Sequence, residues 1–326
     1  MTDLTSLNVG GVPVLGAMPL GLPFTGNYYF VDAVAGADGN TGAADSPMAS
    51  LTAAYARCVA GNNDVVVIMG DGGTTATQRL SSTLTWAKAA THLIGMTAPT
   101  MVSQRARIST AAGATANVNP LVEVTAQGCL FANFSLFQGV GQSATDEQLW
   151  KESGQRNCYV NVDFGGMGSA NGAGRAGSYG LLLYGAGECT FRGCRFGTDT
   201  QDRTAANANV RIRKNASNTE CKRIIFEDCE FSMRCVTNTT PLFVDADEAS
   251  SIDRYIRFKD CTFINTGTAT PAVVAAQNAT NAYLLFDRCC KMLATSWGVA
   301  GRTNIYVNGP ATSTTVTLAG SALPNT

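Results

Sequence analysis

Histidine, charge and anchoring segments are scarce in this chain. With a single histidine, His92, and no Cys-x-x-Cys pair, the chain lacks the ligand spacing of a structural zinc site. No Gly-x-Ser-x-Gly, His-Glu-x-x-His or Walker-type loop occurs, which removes the serine-hydrolase, zinc-protease and nucleotide-phosphate readings. Charged residues are only 14% and the formal net charge is −1, so general attraction to nucleic acid or to an anionic membrane is not expected. The longest aliphatic run, Val65 to Met69, is far too short to span a bilayer. The start, Met1 to Ser6, lacks the basic and apolar regions of a secretory signal, so folding in a cytoplasm is the expectation. Trp86, Trp150 and Trp297 are scattered rather than grouped as a platform for sugars. No cofactor and no metal ligand set is expected.

What the chain does have is 34 glycines and a repeat. Six segments follow one pattern, aromatic-x-(small or polar)-(Cys or apolar)-x-apolar. They are Phe131-Ala-Asn-Phe-Ser-Leu136, Tyr159-Val-Asn-Val-Asp-Phe164, Phe191-Arg-Gly-Cys-Arg-Phe196, Phe226-Glu-Asp-Cys-Glu-Phe231, Phe258-Lys-Asp-Cys-Thr-Phe263 and Phe286-Asp-Arg-Cys-Cys-Lys291. The last copy is degraded, with Lys291 in the final apolar place. Successive starts lie 28, 32, 35, 32 and 28 residues apart, a period typical of stacked repeats in which each unit buries its apolar face against its neighbours.

Positions 4 and 6 of the repeat share strand parity, but position 1 does not. A sharp bend at position 3 repairs this. That position holds Asn133, Asn161, Gly193, Asp228, Asp260 and Arg288, and five of these six residues are of the types that best tolerate left-handed backbone angles. The fold expected is all-β: a parallel β-helix with one copy per rung. Phe191, Cys194, Phe196, Phe226, Cys229, Phe231, Phe258, Cys261, Phe263, Phe286 and Cys289 then form a core ladder. Cys194, Cys229, Cys261 and Cys289 stack about 4.8 Å apart. Disulfides between adjacent rungs are the sharper alternative, but in-register Cβ vectors make the torsion awkward. With eleven cysteines and no export signal, a reduced stack of small apolar side chains is expected.

Residues 1–26 read as a separate arm. From Asn8 to Phe24 there are three prolines, four glycines and no charge, which defeats both helix and regular strand. An extended apolar arm suggests a segment lying in a groove on a partner subunit, through Val12, Pro13, Val14, Leu15, Met18, Pro19, Leu20, Leu22, Pro23 and Phe24. Residues 27–72 read as an entry module. It has a strand at Tyr28 to Val31, a loop at Gly36 to Gly42, a helix from Met48 to Ala60 announced by Ser46-Pro47, and a strand at Val65 to Met69. Leu51, Ala54, Tyr55 and Cys58 share one helix face, and such a helix would cap the first coil.

The run Tyr-x-Val-Asp32, Gly-x-Asp38-Gly-Asn40-x-Gly42, Pro47, Ser50-Leu51-x-x-Ala54 and Gly61-Asn-x-Asp64-Val-Val-Val67 resembles the N-terminal module of right-handed parallel β-helix proteins. These include pectate-lyase-like proteins, bacteriophage tailspikes and other virion proteins. The resemblance covers residues 28–72, and the repeat supports it over 131–292. It implies the fold strongly and the function weakly, because the superfamily holds lyases, hydrolases and non-catalytic structural proteins. Residues 73–326 would supply the coil and its closing strands at Ile305-Tyr-Val307 and Thr314 to Leu318. That gives about nine rungs and a shaft of roughly 43 Å.

Three constellations could carry chemistry. Asp199, Asp202, Asp245, Asp247, Glu248 and Asp253 could place carboxylates on neighbouring rungs, as a glycosidase needs two at a set separation. They fall in loops with few aromatics, where solvated carboxylates are the ordinary case. Val210-Arg-Ile-Arg-Lys214 could set an arginine base beside acidic Ca²⁺ ligands, as the resemblance to pectate lyases would imply, but alternation on a strand explains it: Val210 and Ile212 in, Arg211 and Arg213 out. Asp38-Gly-Asn40 and Asp245-Ala-Asp-Glu248 lack the oxygen count of a Ca²⁺ loop. His92 reads as a strand-edge residue. No catalytic residue is therefore assigned.

The expectation is a non-enzymatic bacteriophage virion protein, a capsid decoration (cement) or head-attached subunit that holds the major capsid protein or other virion subunits through its arm. The family implies a homotrimer. The alternative is a tailspike or receptor-binding protein with glycan-binding or depolymerase activity, which the shortness of the chain and the lack of a C-terminal trimerisation domain disfavour. A free, secreted polysaccharide lyase ranks third.

Overall fold

The structure, a computed structural model, describes residues 8–9, 12–13, 25–73, 75–141, 144–246, 248–276, 282–298 and 304–308. Of the arm, Asn8–Val9 pairs antiparallel with Val12–Pro13. Val14, Leu15, Met18, Pro19, Leu20, Leu22, Pro23 and Phe24 lie outside the described residues, as do Asp247 and Thr314 to Leu318.

The rest winds as a right-handed parallel β-helix with three sheets of ten, eight and seven strands around one core. One turn shows the plan. Thr190–Arg192 lies in the ten-stranded sheet, Arg195–Phe196 in the eight-stranded and Ala208–Arg213 in the seven-stranded. Ile224–Glu227 then re-enters beside Thr190–Arg192, with Phe191 level with Phe226 and Phe196 level with Phe231. The corner between the first two strands is a single left-handed residue. Asn133, Asn161, Gly193, Asp228, Asp260 and Arg288 have φ of 58°, 51°, 57°, 53°, 54° and 51°. All six copies therefore bend at position 3, and the bend brings positions 1, 4 and 6 to one interior. Arg288 is the least suited residue to that angle. Its guanidinium grips Asp260, one turn below, through two bonds of 2.6 and 2.7 Å.

Aromatic rings fill that interior in two files. Phe131, Tyr159, Phe191, Phe226, Phe258 and Phe286 stack with centroids 4.4 to 5.0 Å apart. Phe164, Phe196, Phe231 and Phe263 form the second file at 4.6 to 4.9 Å. Edge-to-face contacts such as Phe191 to Phe196, at 5.9 Å, join the files. Burying a phenylalanine side chain contributes about 1.5–3 kcal/mol, and each ring pair adds about 0.5–1.5 kcal/mol. Cys194, Cys229, Cys261 and Cys289 are buried beside the rings as free thiols. The Sγ atoms of Cys229, Cys261 and Cys289 each donate to a carbonyl one turn below, those of Phe191, Phe226 and Phe258, at 3.4 to 3.5 Å. Burial pushes the Cys229 thiol far above its ordinary range.

The shaft is shorter than nine rungs. Seven turns have all three strands, and the eighth has only Ala282–Asp287 and Cys290–Met292 before Ile305–Asn308 adds a last strand to the ten-stranded sheet. From Val65 to Ala282 the strand starts in that sheet lie 27 to 38 residues apart, so each turn takes up more chain than assumed. At about 4.8 Å per turn the seven turns rise about 34 Å.

The N-terminal end is closed by a helix, Leu51–Arg57, later and shorter than the Ser46-Pro47 signal implies. Met48 is held instead as a strand bridge to Val31, and Ser50 becomes the N-cap, accepting from the Ala53 N–H at 3.2 Å. Asp38 fixes Ser50 in place, accepting from its N–H at 2.8 Å and from its hydroxyl at 2.9 Å. At the other end Lys88 Nζ donates to the carbonyls of Tyr55, Ala56 and Cys58 at 2.7 to 2.9 Å, a cation where the helix dipole is negative. Tyr55 stacks on Trp86 with centroids 4.2 Å apart, so the helix continues the aromatic core.

Two outcomes follow from this packing. Cys290 is exposed, Cys158 is half-buried and the other nine cysteines are buried. Ellman titration of the native protein should read one rapid thiol and eleven in denaturant; three or more rapid thiols would contradict the column. Phe226→Ala, in the middle of its file, should cost about 3–5 kcal/mol in urea unfolding.

Candidate functional site

The strongest charged constellation lies on the outer face of the seven-stranded sheet. Along strands Val122–Val124, Gln148–Glu152, Tyr179–Tyr184, Ala208–Arg213 and Leu242–Ala246, the pairings set Glu123, Lys151, Leu182, Arg211 and Asp245 in one outward row. Val210 and Ile212 are fully buried and Arg211 and Arg213 face outward, as the alternation requires. Lys151 Nζ lies 2.8 Å from Glu123 and 4.5 Å above the Tyr184 ring. Asp245 sits between two guanidinium groups, 2.5 Å from Arg213 and 3.4 Å from Arg211, and Glu248 is 3.9 Å from Arg213. A carboxylate clamped by two arginines is a poor general base, since its lone pairs already accept.

The other candidate carboxylates do not join it. Asp199 pairs with Arg195 at 3.3 Å, and Asp202 accepts from the Val236 N–H at 2.8 Å, both in the connection that follows the eight-stranded sheet. Asp253 pairs with Arg254 at 3.5 Å, where the chain re-enters the ten-stranded sheet. Asp38 and Asn40 are bound into the loop around Pro47 and Ser50 and form no ligand ring. His92 opens strand His92–Met96 and is buried; its Nδ1 accepts from the Leu130 N–H at 3.0 Å, and burial lowers its pKa to about 4. It is a neutral structural group.

Three buried polar groups escape a reading of the sequence. On the eight-stranded face Arg107, Ser135, Asp163, Arg195 and Glu230 form an outward row. A loop over residues 97–106 covers it: Ser103 N–H donates to Asp163 at 2.9 Å, and Gln104 donates to the Asn161 carbonyl at 2.8 Å. Burial raises the pKa of Asp163, while the Ser103 N–H and Arg195, 3.9 Å away, oppose it. Inside the coil Glu152 accepts from Gly154 N–H at 2.6 Å, from Asn157 at 3.1 Å and from the Tyr159 hydroxyl, which in turn accepts from Trp150 Nε1 at 3.0 Å. Where the eight-stranded sheet turns into the seven-stranded, Glu147 accepts from the N–H groups of Met167 and Gly168, and Arg203 donates to Asn209. Burial raises Glu152 to about 7 and Glu147 to about 8, and lowers Arg203 to about 10. Only Glu152 left a legible signal: it shares strand parity with Trp150, an inward place for a charged residue.

No family model matches this chain, and no curated protein matches it. Among solved structures it is similar to the pectin methylesterase of Aspergillus niger, at 14% identity over 88% of this chain and 85% of that one, with a TM-score of 0.45. A second is the ORF18 protein of Geobacillus virus E2, at 12% identity over 78% of this chain and 55% of that one, TM-score 0.37. A third is a GH136 lacto-N-biosidase from Eubacterium ramulus, at 10% identity over 86% of this chain and 67% of that one, TM-score 0.35. The likeness is one of fold alone.

The buried carboxyls give a pH dependence with a definite sign. Folding raises Glu152 and Glu147 from 4.5 to about 7 and about 8, so the folded chain binds protons more tightly over that range. Their contribution is complete below pH 4.5 and is lost as pH rises through 7 and 8. Melting temperature should fall between pH 5 and pH 9, and Glu152→Gln, which mimics the protonated group, should flatten part of the slope. An unchanged slope in differential scanning fluorimetry would show that Glu152 stays ionised.

Proposed function

We propose that this chain is a bacteriophage virion structural protein, a capsid decoration or head-attached subunit that grips its partner through the apolar N-terminal segment. The observation that carries this reading is the state of the outward charges. Each face carries pairs that tie turn to turn along the axis: Lys151 with Glu123, Arg195 with Glu230, Arg192 and Lys259 with Glu227, and Arg257 with Asp287. A shaft tied this way is suited to bracing, and among the described residues Glu227, Asp245 and Asp287 are each held by lysine or arginine rather than left open. The charge-free run from Asn8 to Phe24 supplies the sticking segment. The partner is the major capsid protein or a neighbouring virion subunit, and the working oligomer is a homotrimer.

The test is sedimentation with purified particles. The full chain should band with them, and a variant lacking residues 1–26 should remain in the supernatant. Equal binding by the truncated chain would remove the anchoring role. An assay for oligosaccharide release from host surface polysaccharide should read nothing; release would move the assignment to a depolymerising spike.

A further inference from the structure

A hollow of about 590 Å³ opens over one edge of the eight-stranded sheet. Arg79, Ser109, Phe137 and Gly165 line its floor, and the strand register sets Arg79 level with Ser109. Loops 110–115 and 138–141 wall it, with Thr198 and Thr200 at the far side. None of the lining residues is acidic. Gly113 and Gly141 leave open space where a side chain would stand, so the backbone of both walls is within reach of a ligand.

The positive charge at this corner is unpaired. Arg79 donates to the Thr110 carbonyl at 3.2 Å, and Arg107 donates through Nε to the Gln104 carbonyl at 3.2 Å while its guanidinium lies 5.5 Å from the centre of the Phe137 ring. Among the described residues no carboxylate comes within ion-pair distance of Arg79, Arg105 or Arg107, whereas Lys151, Arg195, Arg211 and Lys259 on the faces of the coil each have one. Burial lowers the pKa of Arg107, and the like charges of Arg105 and Arg79 lower it further against the pull of Asp163. Arg79 thus lines the hollow and Arg107 stands beside it over Phe137, with Arg105 close enough to repel Arg107, in a chain whose net charge is −1.

We propose that this hollow binds an acidic polypeptide segment, with an Asp or Glu carboxylate received by the Arg79 guanidinium on its floor and a second drawn toward Arg107, which flanks the hollow over the Phe137 ring. Planar guanidinium groups with free N–H pairs match carboxylates, and wall amides and threonine hydroxyls match a peptide backbone. A glycan is served less well: Phe137 is the one aromatic residue in the lining, and Arg107 already lies over it. A nucleic acid strand needs a longer basic track and free rings for its bases. The site is separate from the N-terminal segment and does not depend on what that segment grips.

The probe is a short fluorescent oligoglutamate titrated with the full chain at low ionic strength and read by anisotropy, beside an oligoglutamine of equal length. Saturable binding of the oligoglutamate alone is expected, weakened by added salt. Arg79→Ala combined with Arg105→Ala, both exposed side chains, should weaken it about tenfold with the melting temperature unchanged. The single charge reversal Arg79→Glu should abolish it, which guards against a folding defect in the double variant. No saturable binding, equal binding of oligoglutamine, or indifference to both variants overturns the site. Tighter binding of polygalacturonate or of a single-stranded oligonucleotide through the same arginines overturns the peptide assignment.

Discussion

A single backbone torsion per turn governs this molecule. The left-handed residue between the ten- and eight-stranded sheets turns the chain within one position, and so decides which side chains on both sides face inward. Because the same residue recurs on consecutive turns, identical side chains come to lie above one another at strand spacing. The ring files, the thiol column and the outward charge rows are all products of that one alignment. Shifting the bend by one residue would reverse the parity of the strand that follows and turn its phenylalanines to solvent.

The same alignment explains why the charges stacked along the axis pair with one another. Side chains in register on parallel strands have no choice of neighbour, so like charges would face each other at close range unless signs alternate. They do alternate where charge is dense: Arg192, Glu227, Lys259 and Asp287 on one face, and Asp163, Arg195 and Glu230 on another. Exposed pairs of this kind are individually weak. Their value lies in favouring one register over its neighbours and in tying turn to turn along the axis.

From Phe131 onward the coil was legible because each corner is one residue long and leaves a fixed six-residue signature. The first two turns carry no such signature. There the strands Val65–Met69 and Gln78–Leu80, and then His92–Met96 and Arg107–Thr110, are joined by longer loops, so no fixed spacing links ring to ring. Arg211 and Arg213 could be placed outward from parity alone. Their partner Asp245 could not, since it depends on how many residues the intervening loop takes up. Glu147 and Arg203 come together across two loops and leave no local pattern, and Asp163 reads as a solvated residue until the loop bearing Ser103 folds over it.

Axial rise in this coil depends on strand spacing and on nothing else. A connection may take up 27 residues or 38 between successive strands of the ten-stranded sheet without altering the height of the turn. Extra chain thickens the rod and never lengthens it. The object is therefore a ruler graduated in turns, on which the corners are free to vary in sequence and size while the distance between its two ends stays fixed.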